Sequence, residues 1–348
     1  MTASPSPAVL IMAAGRGTRM KSALPKVLHN LMGHALVEHV LNAALYLAPV
    51  KVVVVTGFEA EAVENRLTAF MESLAAERGS ENTPELVFAR QEEQLGTGHA
   101  VSMAREALEG FQGPVLIMSG DVPLISPNTL DGFLKAHETL QADISVLTVR
   151  MDDPAAYGRI IRDEGNWLEK IVEYRDASEE QRSINEVNSG FYVAESSALF
   201  RSIASLSTDN EQNEYYLTDV AADFRSRGLK AAAIELPRYL AYEAGGINDR
   251  YELAEAQAIL KDRINESWMR GGVTMLGPVS THIETTVRLA NDVTLWPGVI
   301  LTGKTVIGEG AEIGPYCRLH DCRVEAGAKV AGNRCLDGQT ISAEEAQP

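Results

Sequence analysis

The segment 9–26 reads VLIMAAGRGTRMKSALPK, and it decides the fold of the first half of the chain. An apolar run of strand length over residues 9–13 breaks at once into the glycine-rich turn 15–17. Glycines let a backbone approach phosphate oxygens closely and direct several N–H groups at one anion. Arg19 and Lys26 add two positive charges beyond that turn. The segment therefore predicts a strand that leads into a triphosphate-binding loop, whose two cations follow a departing pyrophosphate.

The glycine-rich turn has three other interpretations. A Walker loop has the pattern G-x-x-x-x-G-K-[ST], and Lys26 follows a proline outside that spacing. A dinucleotide-binding fingerprint has a third glycine where this chain has Met20. A structural turn of small residues is the remaining alternative. The Thr-Arg and Pro-Lys extension of the turn favours phosphate binding over it.

The composition is that of a globular protein with a large buried core and about two domains, because 45% of its 348 residues are hydrophobic. The formal net charge of -17 opposes nucleic acid and anionic membranes, so we expect neither as a partner. Residues 1–7 carry no positive side chain, and the next apolar stretch is too short for a signal peptide or a membrane span. The three cysteines have no metal-binding spacing. A cytoplasmic, reducing location with free thiols is therefore expected.

Strand-length apolar runs alternate with segments of helical period through the first half of the chain. The predicted strands are residues 9–13, 52–56, 86–89, 115–118 and 144–149, and the predicted helices are 36–45, 100–108 and 130–140. Shorter strands are predicted at 158–161, 169–172 and 190–193, with a helix at 215–227. This βαβ pattern is typical of an α/β fold with a doubly wound, mostly parallel sheet that binds ligands at the carboxyl ends of its strands.

The last third of the chain has a different period. A long helix is predicted over residues 249–269, and after Gly271 aliphatic side chains recur every six residues. They are Ile283, Leu289, Leu295, Leu301, Ile307, Ile313 and Leu319. This hexapeptide repeat predicts a short β-helix. Because the repeat slips by one residue at Val324 and Val330 and then fades, fewer than three coils are expected if a coil takes about three hexapeptides. The predicted domains are 1–248, a linking helix 249–272, and a β-helix with a polar tail over 273–348.

A second motif, QEEQLGTGHA at residues 91–100, follows the third predicted strand. Glycines on both sides of Thr97 expose backbone donors and acceptors at the start of a helix, and Gln91 can pair with the edge of a base. The motif therefore favours a flat nucleobase as its ligand. A plain helix cap at Thr97 is the alternative that the spacing leaves open.

The third motif, MSGDVP at residues 118–123, places Asp121 just past a buried strand. A carboxylate at that edge, beside a triphosphate loop, is well placed to hold Mg²⁺, which takes one or two carboxylates together with phosphate oxygens and waters. An Asx-type turn before the proline is the alternative. The nearby glycine-rich loop favours the metal ligand.

Spacing alone does not separate function from turn chemistry in the remaining polar strings. They are YGRI at 157–160, IVE at 171–173, NEVNSG at 185–190 and YYLTD at 215–219. Solvent-facing turns have the same composition. Asn248, in GGINDR at 245–250, is by default the N-cap of the long helix that follows it.

Taken together, these strings resemble the bacterial N-acetylglucosamine-1-phosphate uridylyltransferases, the N-terminal half of a bifunctional enzyme that makes UDP-N-acetylglucosamine. The resemblance spans residues 9–319 and is carried by AAGRGTRM (13–20), LPKVLH (24–29), QLGTGHA (94–100), GDVPL (120–124), YGRI (157–160), EYYLTD (214–219) and GIN (246–248). The first string indicates only sugar nucleotidyltransferases in general, and QLGTGHA narrows the resemblance to the uridylyl branch. It implies a Rossmann-like nucleotide-diphospho-sugar transferase domain followed by a left-handed β-helix.

The resemblance also implies roles for particular residues and a Mg²⁺-dependent transfer of uridylyl from UTP to N-acetylglucosamine-1-phosphate. Ala13, Ala14, Gly15, Gln91, Gly96 and Thr97 would contact uracil and ribose. Arg19 and Lys26 would be the catalytic cations on the phosphates. Asp121 and Asn248 would ligate Mg²⁺. Gly158, Glu173 and Asn188 would recognise the N-acetyl sugar.

The chain departs from the pattern of that family at two places. Ser119 stands where the family commonly has tyrosine, which weakens the expectation of ring packing at that wall. The chain ends before the further coils of the family's acetyltransferase half, so no acetyltransferase activity is expected, and His282 and His320 are interpreted as surface or packing residues. Because such β-helices commonly form trimers, a homotrimer is the predicted assembly.

Two competing functions remain open from the sequence. Another sugar-1-phosphate or another nucleoside triphosphate would use the same kind of site. A non-catalytic scaffold, in which a decayed transferase serves assembly or regulation, belongs to a different class. The joint presence of Arg19, Lys26, Asp121 and Asn248 argues against decay.

Overall fold

The chain folds into two units, which a computed structural model describes over residues 6–79, 83–154 and 156–343. One unit contains the chain up to His29 and Leu36–Asn248, and the other contains Asn30–Ala35 and the chain from Asp249 onward. The short segment Asn30–Ala35, which the sequence assigns to the first domain, is therefore part of the second unit. Within the described ranges, every helix is too short or too polar to cross a membrane.

The strands and helices are numbered along the chain. The strands up to residue 235 are β1 Ala8–Ala13, β2 Asn30–Leu31, β3 His34–Ala35, β4 Lys51–Thr56, β5 Glu85–Arg90, β6 Pro114–Ser119, β7 Ile144–Arg150, β8 Arg159–Arg162, β9 Leu168–Val172, β10 Glu186–Glu195 and β11 Ala231–Glu235. The α-helices are α1 Leu36–Leu45, α2 Ala60–Arg78, α3 Thr97–Met103, α4 Pro127–Leu140, α5 Glu179–Arg182, α6 Ser196–Ile203, α7 Asp219–Ser226 and α8 Arg250–Arg270. Turns of 3-10 helix lie at Thr18–Met20, Lys26–Leu28, Arg238–Ala244 and Pro278–Ser280.

The first unit is built on one sheet, in which the described strands follow the order β11-β7-β10-β6-β1-β4-β5, with β8 joined to β10 and β9 to β8. β1 is parallel to both of its neighbours, and β10 is antiparallel to β6 and β7. The side chains of the central strands are fully buried, as Leu10, Val53 and Ile117 are. These features confirm the expected α/β fold with a mostly parallel sheet.

One edge of this sheet collects the ends of several strands. β1, β4, β5 and β6 are parallel, so their carboxyl ends meet there. β10 runs the other way, and its first residue, Glu186, pairs with Arg150 at the end of β7. Loops after the parallel strands and the first residues of the antiparallel β10 therefore share this edge.

The helix predicted over 215–227 begins later, at Asp219. The amide of Tyr215 donates to the carbonyl of Leu95 at 2.8 Å, and the amide of Leu217 donates to the Thr97 hydroxyl at 3.0 Å. These long-range bonds hold the segment before Asp219 as an extended turn. Sequence periodicity carries no information about them.

The second unit contains the β-helix. Its strands are β12 Thr274–Met275, β13 His282–Ile283, β14 Arg288–Leu289, β15 Thr294–Leu295, β16 Ile300–Thr302, β17 Val306–Ile307, β18 Glu312–Ile313, β19 Arg318–His320, β20 Arg323–Val324, β21 Lys329–Val330, β22 Cys335–Asp337 and β23 Thr340–Ile341. In the described part of the chain they form three parallel sheets of four strands each.

The expectation of fewer than three coils is therefore wrong. Val324, Val330 and Leu336 belong to the same buried core as Leu319. The slip in the repeat falls at a turn where Asp321 has a φ of 51°, and the shorter turn absorbs the missing residue. Pairing then resumes in register, since Val324 lies opposite Ile307.

Candidate active site

The loop after β1 is anchored to the two loops beside it. The carbonyl oxygen of Ala14 accepts hydrogen bonds from the Phe58 amide at 3.3 Å and from the Gln94 side-chain amide at 2.8 Å. Gly57 lies so close that a Cβ added to it would be 2.8 Å from the same oxygen. The backbone that follows β1 is therefore fixed at the carboxyl edge of the sheet.

The glycine-rich turn places two basic side chains beside that backbone. Gly17 has a φ of 62°, a left-handed conformation that favours glycine. The next residues form a 3-10 turn, in which the buried Met20 donates its amide to the Gly17 carbonyl at 3.0 Å. Arg19 on this turn is exposed, and Lys26 begins the following 3-10 turn and is half-buried.

Four of the predicted site residues meet in one hydrogen-bonded cluster. The Lys26 ammonium donates to Oδ2 of Asp121, and it lies 3.4 Å from Oδ1 of Asn248. The Arg19 guanidinium donates to the same Asn248 oxygen at 2.7 Å. The two residues predicted to be catalytic and the two predicted to hold metal are therefore neighbours.

Asn248 is available to this cluster because another residue caps the long helix. The Asp249 carboxylate accepts from the amides of Tyr251 and Glu252, both at 2.9 Å, and so caps α8. The default reading of Asn248 as the cap is therefore wrong. The backbone also brings Asn248 toward Asp121, because the Ile247 amide donates to the Asp121 carbonyl at 2.9 Å.

The oxygen atoms of Asp121 and Asn248 suit a small divalent cation. Both already contact one ammonium group, so both point toward the same centre of positive charge. In the described part of the chain, no group of three or more His, Cys, Asp or Glu side chains is placed to hold a metal. An ion that takes most of its ligands from phosphate and water, as Mg²⁺ does, needs only such a pair.

Ser119 orients the Asp121 carboxylate. Its hydroxyl donates to Oδ1 of Asp121 at 2.7 Å, while Lys26 contacts the other oxygen. The residue that departs from the family pattern thus supports the predicted metal ligand. A hydroxyl bonded to a carboxylate restricts the directions in which that carboxylate can turn.

Replacing Ser119 by alanine is expected to lower the turnover number about tenfold, because a hydrogen bond to a charged group is lost. Ser119→Thr keeps the hydroxyl and should retain most of the activity. Steady-state turnover of both variants over a range of Mg²⁺ concentrations measures the effect. Equal turnover of the alanine variant and the wild type at every concentration would contradict the orienting role.

A cavity of about 300 Å³ adjoins the cluster. Its lining includes all of the residues predicted to contact uridine, namely Ala13, Ala14, Gly15, Gln91, Gly96 and Thr97. Lys26 and Asp121 line the same cavity, so one space connects the predicted nucleotide and phosphate residues. Gln94 and Glu214 also line it, and the sequence assigned no role to either.

Hydrogen bonds within the motif at residues 91–100 hold it together. The buried Gln91 side-chain amide donates to the Gly96 carbonyl at 3.1 Å, and its nitrogen lies 3.1 Å from Nδ1 of His99. Thr97 is the first residue of α3, and its hydroxyl accepts the amide of Leu217 instead of capping the helix. The capping interpretation of Thr97 is therefore wrong, and His99 lies beside the Gln91 side chain.

The three residues predicted to bind sugar form a second group. The Asn188 amide donates to the Gly158 carbonyl at 2.9 Å. A Cβ added to Gly158 would lie 3.6 Å from either carboxylate oxygen of Glu173. These three residues line up at the ends of β8, β9 and β10 but are not part of the cavity lining described above.

Two further side chains support this group, and sequence reasoning missed them. The buried Thr218 hydroxyl donates to Glu173 at 3.1 Å. The side-chain amide of Asn188 donates to the buried Tyr192 hydroxyl at 2.8 Å, and its oxygen accepts the Gly190 amide at 2.9 Å. Both ends of the Asn188 carboxamide are thereby fixed in orientation.

Burial raises the pKa of the Glu173 carboxyl, against the opposing hydrogen bond from Thr218. The nearby carboxylates of Asp219, Asp176 and Glu214 raise that pKa as well. The folded protein therefore holds the Glu173 proton more tightly than the unfolded chain does. In the window between the unfolded and the folded pKa, the free energy of unfolding falls as pH rises, and above the folded pKa the loss is complete.

Glutamine does not ionise, so Glu173→Gln is expected to remove this fall in the free energy of unfolding. The free energy of unfolding of the variant should therefore increase relative to that of the wild type as pH rises from 4 to 7. Urea unfolding at several pH values measures the difference between the two proteins. Glu169→Gln is the matched control, because Glu169 is exposed and lies on β9, the strand that Glu173 directly follows. A pH-independent difference for Glu173→Gln would contradict the raised pKa.

Comparison with known proteins shows the family. Residues 9–214 match the model of the MobA-like NTP transferase domain. The bifunctional protein GlmU of an Exiguobacterium species is 40% identical over 339 residues, which cover 97% of this chain and 71% of that protein. The chain belongs to the GlmU family. The resemblance read from the sequence is thus confirmed.

The chain spans only part of the length of another related GlmU protein. It is 41% identical over 315 residues to the GlmU protein of Halalkalibacterium halodurans, and this match covers 90% of the chain. The chain spans 66% of the length of that relative. A solved structure of UDP-glucose pyrophosphorylase complexed with UDP-glucose has a TM-score of 0.57 at 19% identity and covers 74% of this chain and 99% of its own. That likeness shows a shared fold.

Proposed function

We propose that this chain transfers the uridylyl group of UTP to N-acetylglucosamine-1-phosphate, giving UDP-N-acetylglucosamine and pyrophosphate. The observation that carries the proposal is the cluster of Arg19, Lys26, Asp121 and Asn248, beside a cavity lined by the uridine motif. Membership of the GlmU family supports the same reaction class.

The chemistry requires alignment and charge neutralisation more than proton transfer. A sugar-phosphate oxygen attacks the α-phosphorus of UTP in line with the departing pyrophosphate, and it is already ionised, so no strong base is needed. The backbone after β1 presents its N–H groups to the nucleotide from a fixed position. Lys26 and Arg19 neutralise charge that grows on the pyrophosphate.

Asp121 and Asn248 would hold Mg²⁺ in this site. When bound, Mg²⁺ neutralises phosphate charge and polarises the phosphoryl oxygens. Asp121 contributes the negative charge, and Asn248 contributes a neutral oxygen that Arg19 orients at 2.7 Å. Ser119 keeps the Asp121 carboxylate turned toward the phosphates.

Gly158, Glu173 and Asn188 would bind the sugar. In Asn188, one N–H and one lone pair remain after the bonds to Tyr192 and Gly190, and these suit the amide of an N-acetyl group. The carboxyl oxygens of Glu173 accept hydrogen bonds from hydroxyl groups, as Oε1 does from Thr218. A sugar with a plain 2-hydroxyl would leave part of this polar surface unpaired.

The test is an assay of pyrophosphate release with Mg²⁺, each of four nucleoside triphosphates and a panel of sugar-1-phosphates. We expect UTP with N-acetylglucosamine-1-phosphate to give the highest kcat/KM. A clear advantage for glucose-1-phosphate or dTTP would replace the substrate assignment. Absence of turnover with every pair would favour the scaffold alternative.

A homotrimer formed through the β-helix is part of the proposal. Large apolar side chains of that unit are exposed, among them Val279, Tyr316 and Leu276. Covering such side chains in an interface lowers their free energy. Light scattering at micromolar concentration is expected to give the mass of three chains, and the mass of one chain would contradict it.

Two expectations from the sequence stay predictions. The lack of acetyltransferase activity can be checked by following thiol release from acetyl-CoA with glucosamine-1-phosphate. The cytoplasmic location can be checked by fractionation of cells that produce the protein.

A further inference from the structure

Arg159 is buried more completely than a charged side chain normally is. It is only 2% exposed and heads the described side chains that are fully buried, ranked by size. Arginine keeps its proton in proteins, so this is a buried positive charge. The sequence singled out its string, YGRI, without finding a role for the arginine.

The guanidinium of Arg159 donates hydrogen bonds to backbone carbonyls of two segments, the turn before β8 and the end of α5. It donates to the carbonyl of Tyr157, to that of Arg182 at 3.3 Å, and to that of Pro154 at 3.5 Å. It also lies over the ring of Tyr174, with its central carbon 5.4 Å from the ring centroid. One planar group thus joins the turn before β8 to the end of α5.

The backbone of Arg159 occupies the position next to all three proposed sugar residues. It pairs with Val172 on β9 and with Val187 on β10. Glu173 and Asn188 follow those two partners directly, and Gly158 directly precedes Arg159. A shift of the Arg159 backbone would therefore displace Gly158, Glu173 and Asn188.

There is little room for such a shift at Gly158. A Cβ added there would lie 3.0 Å from the Ile171 side chain and 3.6 Å from the oxygens of Glu173. The Gly158 carbonyl is already bonded to the Asn188 amide at 2.9 Å. Because Gly158 is packed this closely, a small movement of the turn would change its distances to Glu173 and Asn188.

We propose that Arg159 is a positioning residue of the sugar subsite, whose guanidinium fixes the turn before Gly158 and so sets the spacing between Gly158, Glu173 and Asn188. This inference rests on the proposed function. Arg182 also contacts Tyr174: its guanidinium carbon lies 4.8 Å from the ring centroid, and its Nε donates to the Tyr174 carbonyl at 3.2 Å. Lysine has no planar fork and cannot hold the same set of carbonyls.

The test is Arg159→Lys, which keeps the charge. We expect the KM for N-acetylglucosamine-1-phosphate to rise roughly tenfold while the KM for UTP stays within about twofold of wild type. The preference for this substrate over glucose-1-phosphate should fall. An unchanged sugar-phosphate KM, or equal rises for both substrates, would overturn the proposal.

Two further variants test whether the effect is specific to the contacts of the Arg159 guanidinium. Arg162→Lys alters an arginine on the same strand that pairs with Glu186 at 2.6 Å, and it should leave both KM values unchanged. Tyr174→Leu removes the partly exposed ring beneath the guanidinium and should raise only the sugar-phosphate KM. If Arg159→Lys fails to fold, Tyr174→Leu decides, and an unchanged KM in that variant overturns the proposal.

Calorimetric binding of UDP-N-acetylglucosamine separates this inference from the proposed function. Wild type that binds the sugar nucleotide without catalysing transfer would contradict the function, while a roughly tenfold weaker Kd of Arg159→Lys would still support the positioning role. An equal Kd for the two proteins would overturn that role. Wild type that fails to bind the sugar nucleotide would contradict both.

Discussion

Replacing Asp121 by alanine is expected to lower kcat for uridylyl transfer by about 10²–10³-fold, which corresponds to roughly 3–4 kcal/mol in the barrier. The Asp121 carboxylate is the anionic member of the cluster, and it is in contact with both Lys26 and Ser119. Its removal takes away the charged ligand of the proposed Mg²⁺ site and leaves Asn248 as a neutral one. Kinetics of pyrophosphate release over a range of Mg²⁺ concentrations measures the loss.

The fold should survive this change. Asp121 lies in a loop, and the Ile247 amide bonds to its backbone carbonyl, which alanine retains. Thermal unfolding of the variant checks this point. Asp131→Ala is the control, because Asp131 forms an exposed pair with Lys135 on α4, and such pairs contribute little. Wild-type turnover in a folded Asp121→Ala protein would exclude the metal role of Asp121.

Asp121→Asn separates charge from coordination at the same position. Asparagine keeps one oxygen that can face a cation but carries no negative charge. We expect its turnover to lie between those of the wild type and the alanine variant. Weaker Mg²⁺ binding by the asparagine variant, measured by calorimetry in the presence of UTP, would assign the difference to charge.

The sequence predicted the first strand and the glycine-rich turn after it because both depend on local chemistry. Gly17 adopts the left-handed conformation that the turn requires, and the apolar run before it becomes the centre of the sheet. The hexapeptide repeat was equally local, since each coil repeats the same contact. Its last coils were missed because a single short turn at Asp321 hid the continuing period.

The sequence could not show which of two adjacent residues caps a helix, or which residues distant in sequence form a hydrogen bond. Asn248 and Asp249 are both good helix caps, and only the structure shows that Asp249 does the capping. The hydrogen bond from Gln94 to Ala14 joins residues 80 positions apart, and the periodicity of a sequence cannot predict such a bond. The burial of Arg159 depends in the same way on carbonyls from two separate segments, the turn before β8 and the end of α5.

Lys26→Met is expected to lower kcat by about 10²–10³-fold, with a smaller effect on the KM for UTP. The ammonium group contacts Asp121 and Asn248 and lines the cavity. In the proposed reaction, this is where the leaving pyrophosphate would gain charge. An interaction that strengthens in the transition state lowers kcat when it is lost. Lys26→Arg keeps the charge in a different geometry and should retain part of the activity.

The reverse reaction checks this measurement for consistency. Transfer and pyrophosphorolysis share one transition state, and the equilibrium constant belongs to the reactants alone, so kcat/KM must fall by the same factor in both directions. The control is Lys21→Met, which removes an exposed positive charge five positions earlier on the same loop and should leave both rates near wild type. If Lys21→Met slows the enzyme as much as Lys26→Met does, the effect is one of general charge on the loop. Loss confined to Lys26 assigns it to the ammonium group beside the departing pyrophosphate.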